Sequence, residues 1–360
     1  MFNFSVIALV SFVITLVLVV GGIFLFPKIG FMDKPAKYGL KRKPIPYYGG
    51  ILIFLGFLIS MFIFVEMSRE IVGLLIGASM IVLVGFLDDY FDISPVVRLA
   101  VQIVAACVLV VFGVGILSIT NPLGGVIVLD NLKWSFDLLD WHFVVPVLGG
   151  IFTIIWIVLI TNTMNFLDGV AGLTSGVSFI AALTIFFLSV RPDLHTDMTS
   201  QLTVAVIALI VAFVSFAFLI FDFPKPKMLM GDTGSTLLGF LLASLAIFSG
   251  GKVATAFLVL GVPILDAAWV VLRRILSGKK PWQGDKKHLH HRLLDLGFKE
   301  STVLFIVYGL SVVFGLLAVF TSSSRQKLFV LVGLGILMVL FAVSIIYTSA
   351  RAKKVSHKRG

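Results

Sequence analysis

Of 360 residues, 59% are hydrophobic and only 13% charged, with a mean hydropathy of +1.12; this excludes an ordinary soluble domain, in which about a quarter of residues carry charge. The net charge of +10 comes from basic residues set between apolar runs, which points to membrane topology and anionic lipid rather than to nucleic acid. Cys107 is the single cysteine, so no intrachain disulfide forms, and its apolar surroundings give it a packing role.

Apolar runs of about 20 residues recur along the chain, roughly what a helix needs to cross a ~30 Å hydrocarbon layer. Their continuity predicts helices rather than barrel strands, which alternate in polarity. Breaks at Gly, Pro and charge divide them into eleven transmembrane helices, at 4–26, 48–66, 71–87, 97–117, 143–161, 170–190, 202–221, 235–249, 253–276, 302–321 and 328–348. The fold expected is an all-α polytopic integral membrane protein. The first run has no basic residue before it and is too long for a signal-peptide core, so it is read as a retained helix. A single membrane domain, 1–349, is followed by a basic tail, 350–360. Of the 28 Lys and Arg, 22 fall on one side of this arrangement, which predicts an external N-terminus and a cytoplasmic C-terminus.

The unusual residues gather in the cytoplasmic segments. They are the stretch from Asp33 through Lys43 and Pro46 to Gly49 and Gly50, then Asp88, Asp89 and Asp92, and then Asn162, Asn165 and Asp168. Lys225, Lys227 and the block Gly231-Asp232-Thr233-Gly234-Ser235 follow, then Asp285 through His288, His290, His291 and Arg292. External acids such as Asp130, Asp137 and Asp140 form no cluster and read as a solvated hairpin or interfacial stretch.

Three acids at a helix C-terminus oppose the macrodipole and invite a cation. On a continuing helix, 88 and 92 share a face that 89 does not. Oxygen ligands without cysteine favour Mg²⁺ or Mn²⁺ over zinc. Glycines at the start of the eighth span let backbone N–H groups approach an anion, with Lys227 in reach of the same phosphate. The histidines lie among Lys286, Lys287 and Arg292, without the ligand set of a zinc site, and fit phosphate contact. Asp266 lies within the ninth span, an expensive place for an acid; it lines a cleft or pairs with Arg273.

In these residues the sequence resembles the polyprenyl-phosphate N-acetylhexosamine-1-phosphate transferases, the WecA/TagO group, over essentially its whole length. The elements carrying the likeness, in order, are Pro46–Gly50, Asp88-Asp89-x-x-Asp92, Asn165-x-x-Asp168-Gly169, Gly231-Asp232-x-Gly234-Ser235 and His288-x-His290-His291. The resemblance implies attack of a polyprenyl phosphate on the β-phosphorus of a UDP-sugar, yielding polyprenyl-diphospho-sugar and UMP. It places Asp232, Asp88 and Asp89 at Mg²⁺, with these three, His290 and His291 catalytic. Lys43, Asp92, Asn165, Asp168, Lys227, His288 and Arg292 become substrate-binding residues. UDP-N-acetylglucosamine and undecaprenyl phosphate are the implied substrates, a homodimer is expected, and the bacterial plasma membrane is the location, with the site on its cytoplasmic face.

The chain departs from the pattern twice. Many relatives read Asp-Gly-x-Asp-Gly where this chain has Ala171, and Asp222 occupies a position that is often Asn. Two other readings compete. The related phospho-N-acetylmuramoyl-pentapeptide transferase carries three consecutive histidines and ten spans, against His-Leu-His-His and eleven here. A transporter would place its charges near the bilayer midplane, where only Asp266 lies.

Overall fold

The structure, a computed structural model, describes residues 3–340 other than 39–41, 121–124, 139–140, 195–196, 250–252, 277, 279–287, 322, 324 and 338. Lys252, Asp140, Asp285, Lys286, Lys287, the tail at 350–360 and the far part of the eleventh expected span lie outside these residues.

Each expected span has a helical counterpart. In chain order these are α1 (Phe4–Ile29), α2 (Gly49–Phe64), α3 (Arg69–Phe91), α4 (Pro95–Val111), α5 (Val147–Leu167), α6 (Leu173–Ser189), α7 (Met198–Asp222) and α8 (Gly231–Phe248). Then come α9 (Val253–Val259), α10 (Gly261–Leu276), the short α11 (Leu289–Asp295), α12 (Glu300–Phe320) and a helix over 325–337. Among the described residues, six helices are long and apolar enough to cross a membrane, and α2, α4 and α6 are shorter apolar helices. The protein is a multi-pass, all-α membrane protein.

Local sequence sets the helix ends. Asn3, Ser68, Ser94 and Asp197 accept backbone N–H bonds at the starts of α1, α3, α4 and α7, the usual N-cap service. Gly30 ends α1 at φ +79°, a left-handed cap that glycine takes without penalty.

Two expectations are corrected. The fourth helix stops at Val111, short of the expected 117, and residues 143–146, expected to begin the fifth span, lie in a strand. The stretch between forms two antiparallel hairpins, β1 (Ser118–Thr120) with β2 (Val126–Val128) and β3 (Lys133–Leu138) with β4 (Trp141–Pro146), a hairpin being one of the two arrangements expected for the polar residues there. Gly113, at φ +99°, turns the chain out of α4, and Val144 and Val145 belong to a strand rather than to α5. The ninth span is broken between α9 and α10, because Pro263 has no N–H to offer the Val259 carbonyl. Within the hairpins, Asp130 pairs with Lys133 and Asp137 with His142, a solvated arrangement.

At the centre stands α8, packed against α2, α3, α5, α6, α7 and α9. Of its apolar window 89% is buried, against 28% for α1. Small residues allow this. A Cβ on Gly50 would lie 2.2 Å from the Gly234 nitrogen, and one on Gly85 would lie 2.7 Å from the Thr233 Cα, so α2 and α3 meet α8 nearly backbone to backbone. Some hydroxyls in the bundle donate within their own helices, as Ser60 does to the Gly56 carbonyl and Ser244 to that of Phe240, which offsets the cost of a bare polar group in an apolar layer.

Candidate active site

The N-terminus of α8 organises one end of the bundle. Residues 46–50 are bonded to the segment just before it: Leu229 N donates to Pro46 O, Gly49 N to Leu229 O and Gly50 N to Met230 O, each at 2.9 Å. The motif at 46–50 is therefore a backbone clamp on the 229–231 segment. Asp89 reaches into the same place from the end of α3. Its Oδ1 accepts from Tyr47 Oη and Asp232 N, both at 2.9 Å, and its Oδ2 accepts from Thr233 N at 3.1 Å and Thr233 Oγ1 at 2.6 Å. Asp89 thus caps α8 from another helix, and the free amides expected there for an anion are taken by a carboxylate. Burial, then the Asp89 charge, pushes the Tyr47 phenol up, so it stays protonated and donates.

Beside this cap, Arg98 Nη1 touches Asp88 Oδ2 at 2.5 Å and Asp232 Oδ2 at 2.6 Å. One cation centre therefore bridges two carboxylates from α3 and α8. Ser94 and Pro95 fold α4 straight back along α3, which carries the Arg98 of its first turn to the acids before it. Among the described residues no three metal-ligating side chains come together: Asp88 and Asp232 converge, while Asp89 is turned to the α8 amides.

The next side of the site comes from the end of α5. Asn165 Nδ2 donates to Ser235 Oγ at 3.0 Å, fixing α5 against α8. Asp168 follows the helix, and burial, then the neighbouring Asp222, raises its carboxyl well above the usual range. Gly169 faces the histidine segment, and a Cβ there would lie 2.3 Å from His290 Nε2.

Asp266 organises that segment. Its Oδ2 meets His288 Nδ1 at 2.8 Å and its Oδ1 accepts from Leu289 N at 2.8 Å, both residues being buried. The acid within the ninth span therefore pairs with His288 and starts α11, and it also lines a groove, one of the two roles expected of it; the charged partner shown is His288. The His288 and His290 rings stack at 5.9 Å with 6° between their planes, and His291 lies 4.2 Å from His290. His290 is 1% exposed, and neither of its ring nitrogens has a hydrogen-bond partner. Burial, then His291, pushes its pKa down to about 3, so it is neutral near pH 7.

Three expected residues are not drawn to this centre. Lys43 is exposed in the loop before the clamp. Asp92 sits at φ +53° as the C-cap of α3 and is exposed, because the helix ends at Phe91 and the shared face with Asp88 is lost. Lys227 is exposed, its ammonium 6.0 Å from the Phe221 ring. Arg98, Tyr47 and the Asp266–His288 pair were not foreseen. The Ser94-Pro95 start of α4 was the signal that could have turned Arg98 toward Asp88.

The sequence pattern of glycosyl transferase family 4 matches residues 71–250, which contain Asp88, Asp89, Arg98, Asn165, Asp168 and Asp232. The chain belongs to that family. It is 29% identical over 326 residues to a probable undecaprenyl-phosphate N-acetylglucosaminyl 1-phosphate transferase of Bacillus subtilis, covering 88% of this chain and 84% of that protein. It is 30% identical over 311 residues to the decaprenyl-phosphate N-acetylglucosaminephosphotransferase of Mycobacterium tuberculosis, with 78% and 73% covered. It is 27% identical over 288 residues to the undecaprenyl-phosphate α-N-acetylglucosaminyl 1-phosphate transferase of Escherichia coli K12, again with 78% and 73% covered.

Proposed function

We propose that this family 4 transferase moves N-acetylglucosamine-1-phosphate from UDP-N-acetylglucosamine to undecaprenyl phosphate at the cytoplasmic face of the membrane. The observation that carries this is the convergence of Asp88 and Asp232 on one cation at the end of the bundle, beside Asp168 and the histidine segment. The names of the relatives given above, which carry N-acetylglucosamine and a polyprenyl phosphate, support the sugar and the lipid. A transporter is disfavoured because the polar residues gather at one end.

Two hard carboxylates that already share a cation fit Mg²⁺, which commonly takes one or two carboxylates and completes its shell with substrate phosphates and water. Asp88 and Asp232 would hold it. It supplies charge neutralisation at the diphosphate. The protein does the rest by positioning. Arg98, released from its carboxylates, Arg292 and the histidines hold phosphate oxygens, and Asn165 and Asp168 wall the nucleotide-sugar side. A phosphate monoester is largely dianionic near pH 7, so the lipid phosphate attacks without a strong base. An oxygen of that phosphate bonds to the β-phosphorus, the bond from β-phosphorus to the bridging oxygen breaks, and UMP leaves with its electron pair.

The two substrates differ in polarity, and the site lies where both arrive. An apolar groove lined by Leu265, Trp269, Leu272 and Gly335, with Asp266 and Arg292 also on its wall, suits the first isoprene units of the lipid.

The test is UMP release by purified protein with Mg²⁺, undecaprenyl phosphate and a panel of UDP-sugars. UDP-N-acetylglucosamine should be used best. Turnover confined to the muramoyl-pentapeptide donor, or none with any donor, overturns the assignment. Membrane-impermeant labelling of cysteines placed at 92 and 291 should reach both from the cytoplasm only.

A further inference from the structure

The β3–β4 hairpin joins α4 to α5 at the ends remote from Arg98 and Asn165, and its two faces differ. Residues opposite each other in a sheet share a face. The register pairs Lys133 with Pro146, Trp134 with Val145, Ser135 with Val144, Phe136 with Phe143 and Asp137 with His142. One face therefore carries Trp134, Phe136, Phe143 and Val145, while Lys133, Ser135, Asp137 and His142 lie exposed on the other. The apolar face is turned toward the bundle. Its Phe143 is buried, with its ring 6.1 Å from that of Phe112 at the end of α4 and 4.2 Å from the Arg69 guanidinium of α3. An aromatic row runs outward from there. Phe136 stacks on Phe143 at 5.2 Å with 13° between the planes, and Trp134 lies 5.1 Å from Phe136. Exposure rises along the row from 4% at Phe143 to 64% at Trp134. The face that protein covers at one end is bare at the other, and Trp134 overhangs the bundle.

What lies beneath the overhang follows from where the hairpin is rooted. Leu132 O accepts from Val147 N at 2.9 Å and Leu129 O from Gly149 N at 3.2 Å, which ties the start of β3 to the first turn of α5. The exposed side chains of the following turns, Leu148, Ile151, Phe152 and Ile155, face lipid in a multi-pass protein, and the bare aromatic face continues that surface. A tryptophan at this level, on an apolar face with charges on its reverse, has the chemistry of a membrane–water boundary. We infer that the β3–β4 hairpin rests on a lipid surface, with its Trp134 side at the junction of headgroups and acyl chains, in the leaflet away from the active site. This seating also sets a distance. The 21 residues of α5 rise about 30 Å at about 1.5 Å each, one hydrocarbon thickness. A hairpin held at one boundary therefore places Asn165 and Asp168 at the other, where a water-soluble donor and a lipid phosphate can meet. The seating itself does not depend on the transfer reading.

The experiment uses the full chain in phospholipid nanodiscs, with Cys107→Ala removing the native thiol. Lys133→Cys, Trp134→Cys, Ser135→Cys and Asp137→Cys are made singly and labelled with a nitroxide. Power saturation then compares access of oxygen, which partitions into lipid, with access of a water-soluble nickel chelate. The label at 134 should favour oxygen and lie within about 5–10 Å of the lipid phosphates. Labels at 133, 135 and 137 should favour nickel, so the preference reverses at position 134 alone. Nickel preference at 134 like that of its neighbours means that the face is in water, and overturns the inference. Shielding of 134 from both reagents means that protein covers it, with spin–spin broadening marking a second copy, and overturns it equally. Trp134→Phe tests the same point where labelling disturbs the hairpin. The emission lost on that substitution should be quenched in wild type by lipids brominated near the top of their acyl chains, and little by aqueous iodide; the opposite order overturns the inference. None of these measurements involves UMP release, so their failure is distinct from a failure of the transfer reading.

Discussion

Replacing Asp89 by alanine separates a helix-holding role from a chemical one. The carboxylate accepts four hydrogen bonds, from the backbone of Asp232 and Thr233, from Thr233 Oγ1 and from Tyr47 Oη. Losing a cap of two backbone donors costs about 1–2 kcal/mol. Stranding two part-buried hydroxyls adds about 1–2 kcal/mol each where water fills in incompletely. The sum, roughly 3–6 kcal/mol, should lower the melting temperature in detergent by about 5–10 °C. Asparagine is not a silent replacement, because either orientation sets its NH₂ against one backbone N–H and one hydroxyl of the same set. Glutamate has no room, since even a Cβ on Gly231 would lie 2.4 Å from Asp89 Oδ2. The assay is intrinsic-fluorescence melting of wild type, Asp89→Ala and Asp89→Asn, with and without Mg²⁺. Both variants should melt early in either condition. A variant that melts like wild type yet has lost turnover refutes the reasoning, because Asp89 would then act on substrate or metal.

Asp232→Asn should abolish UMP release while leaving the melt within about 1 kcal/mol of wild type, since the side chain is partly exposed and its pair with Arg98 is screened by solvent; turnover should also stop on chelation and return with Mg²⁺. Gly50→Ala should cost about 1–3 kcal/mol, because its Cβ would meet the Gly234 backbone at 2.2 Å, whereas Gly21→Ala, with nothing within 4 Å, should be neutral or stabilising on the same melts. His290 has a pKa of about 3 in the folded protein and about 6.5 in the unfolded chain. The unfolded state therefore binds more protons between those values, and stability falls as pH drops below about 6.5. At pH 5 the loss for ligand-free protein is roughly 2 kcal/mol, read as the extra acid sensitivity of wild type over His290→Asn.

The spans were legible because a bilayer imposes one demand, an unbroken apolar run with its backbone bonds made internally, and composition records that demand directly. The hairpins at 118–146 were harder to read, since Val144 and Val145 satisfy an apolar-run reading whether they lie in a strand or a helix. The break in the ninth span had a visible cause in Pro263, yet a proline near a helix start and one that ends a helix look alike in sequence. In the site, residue type and chain order marked which segments belong together, because phosphate chemistry calls for acids, cations and small residues. Which oxygen faces which donor was not legible. Asp88 and Asp89 are neighbours in sequence, but one helix step of about 100° sends one to Arg98 and the other to the α8 amides. Arg98 itself looked like one more topology charge, and only the reversal of the chain at Ser94 gives it two acids.

That division between Asp88 and Asp89 bears on how the diphosphate is held. A glycine-led helix N-terminus is ordinarily a place where backbone amides cradle phosphate, and Gly231 to Gly234 has that composition. Here the amides of Asp232 and Thr233 are already taken by Asp89, and Gly234 serves the approach of α2. In the proposed reaction the donor's negative charge would then fall to cations: Arg98 leaving its two carboxylates, the metal those carboxylates would take in its place, and Arg292. Recognition by charge of this kind is salt-sensitive and tied to metal occupancy, whereas a backbone cradle is neither. In this protein the helix terminus holds the Asp89 carboxylate, and Asp88 and Asp232 beside it hold the cationic Arg98.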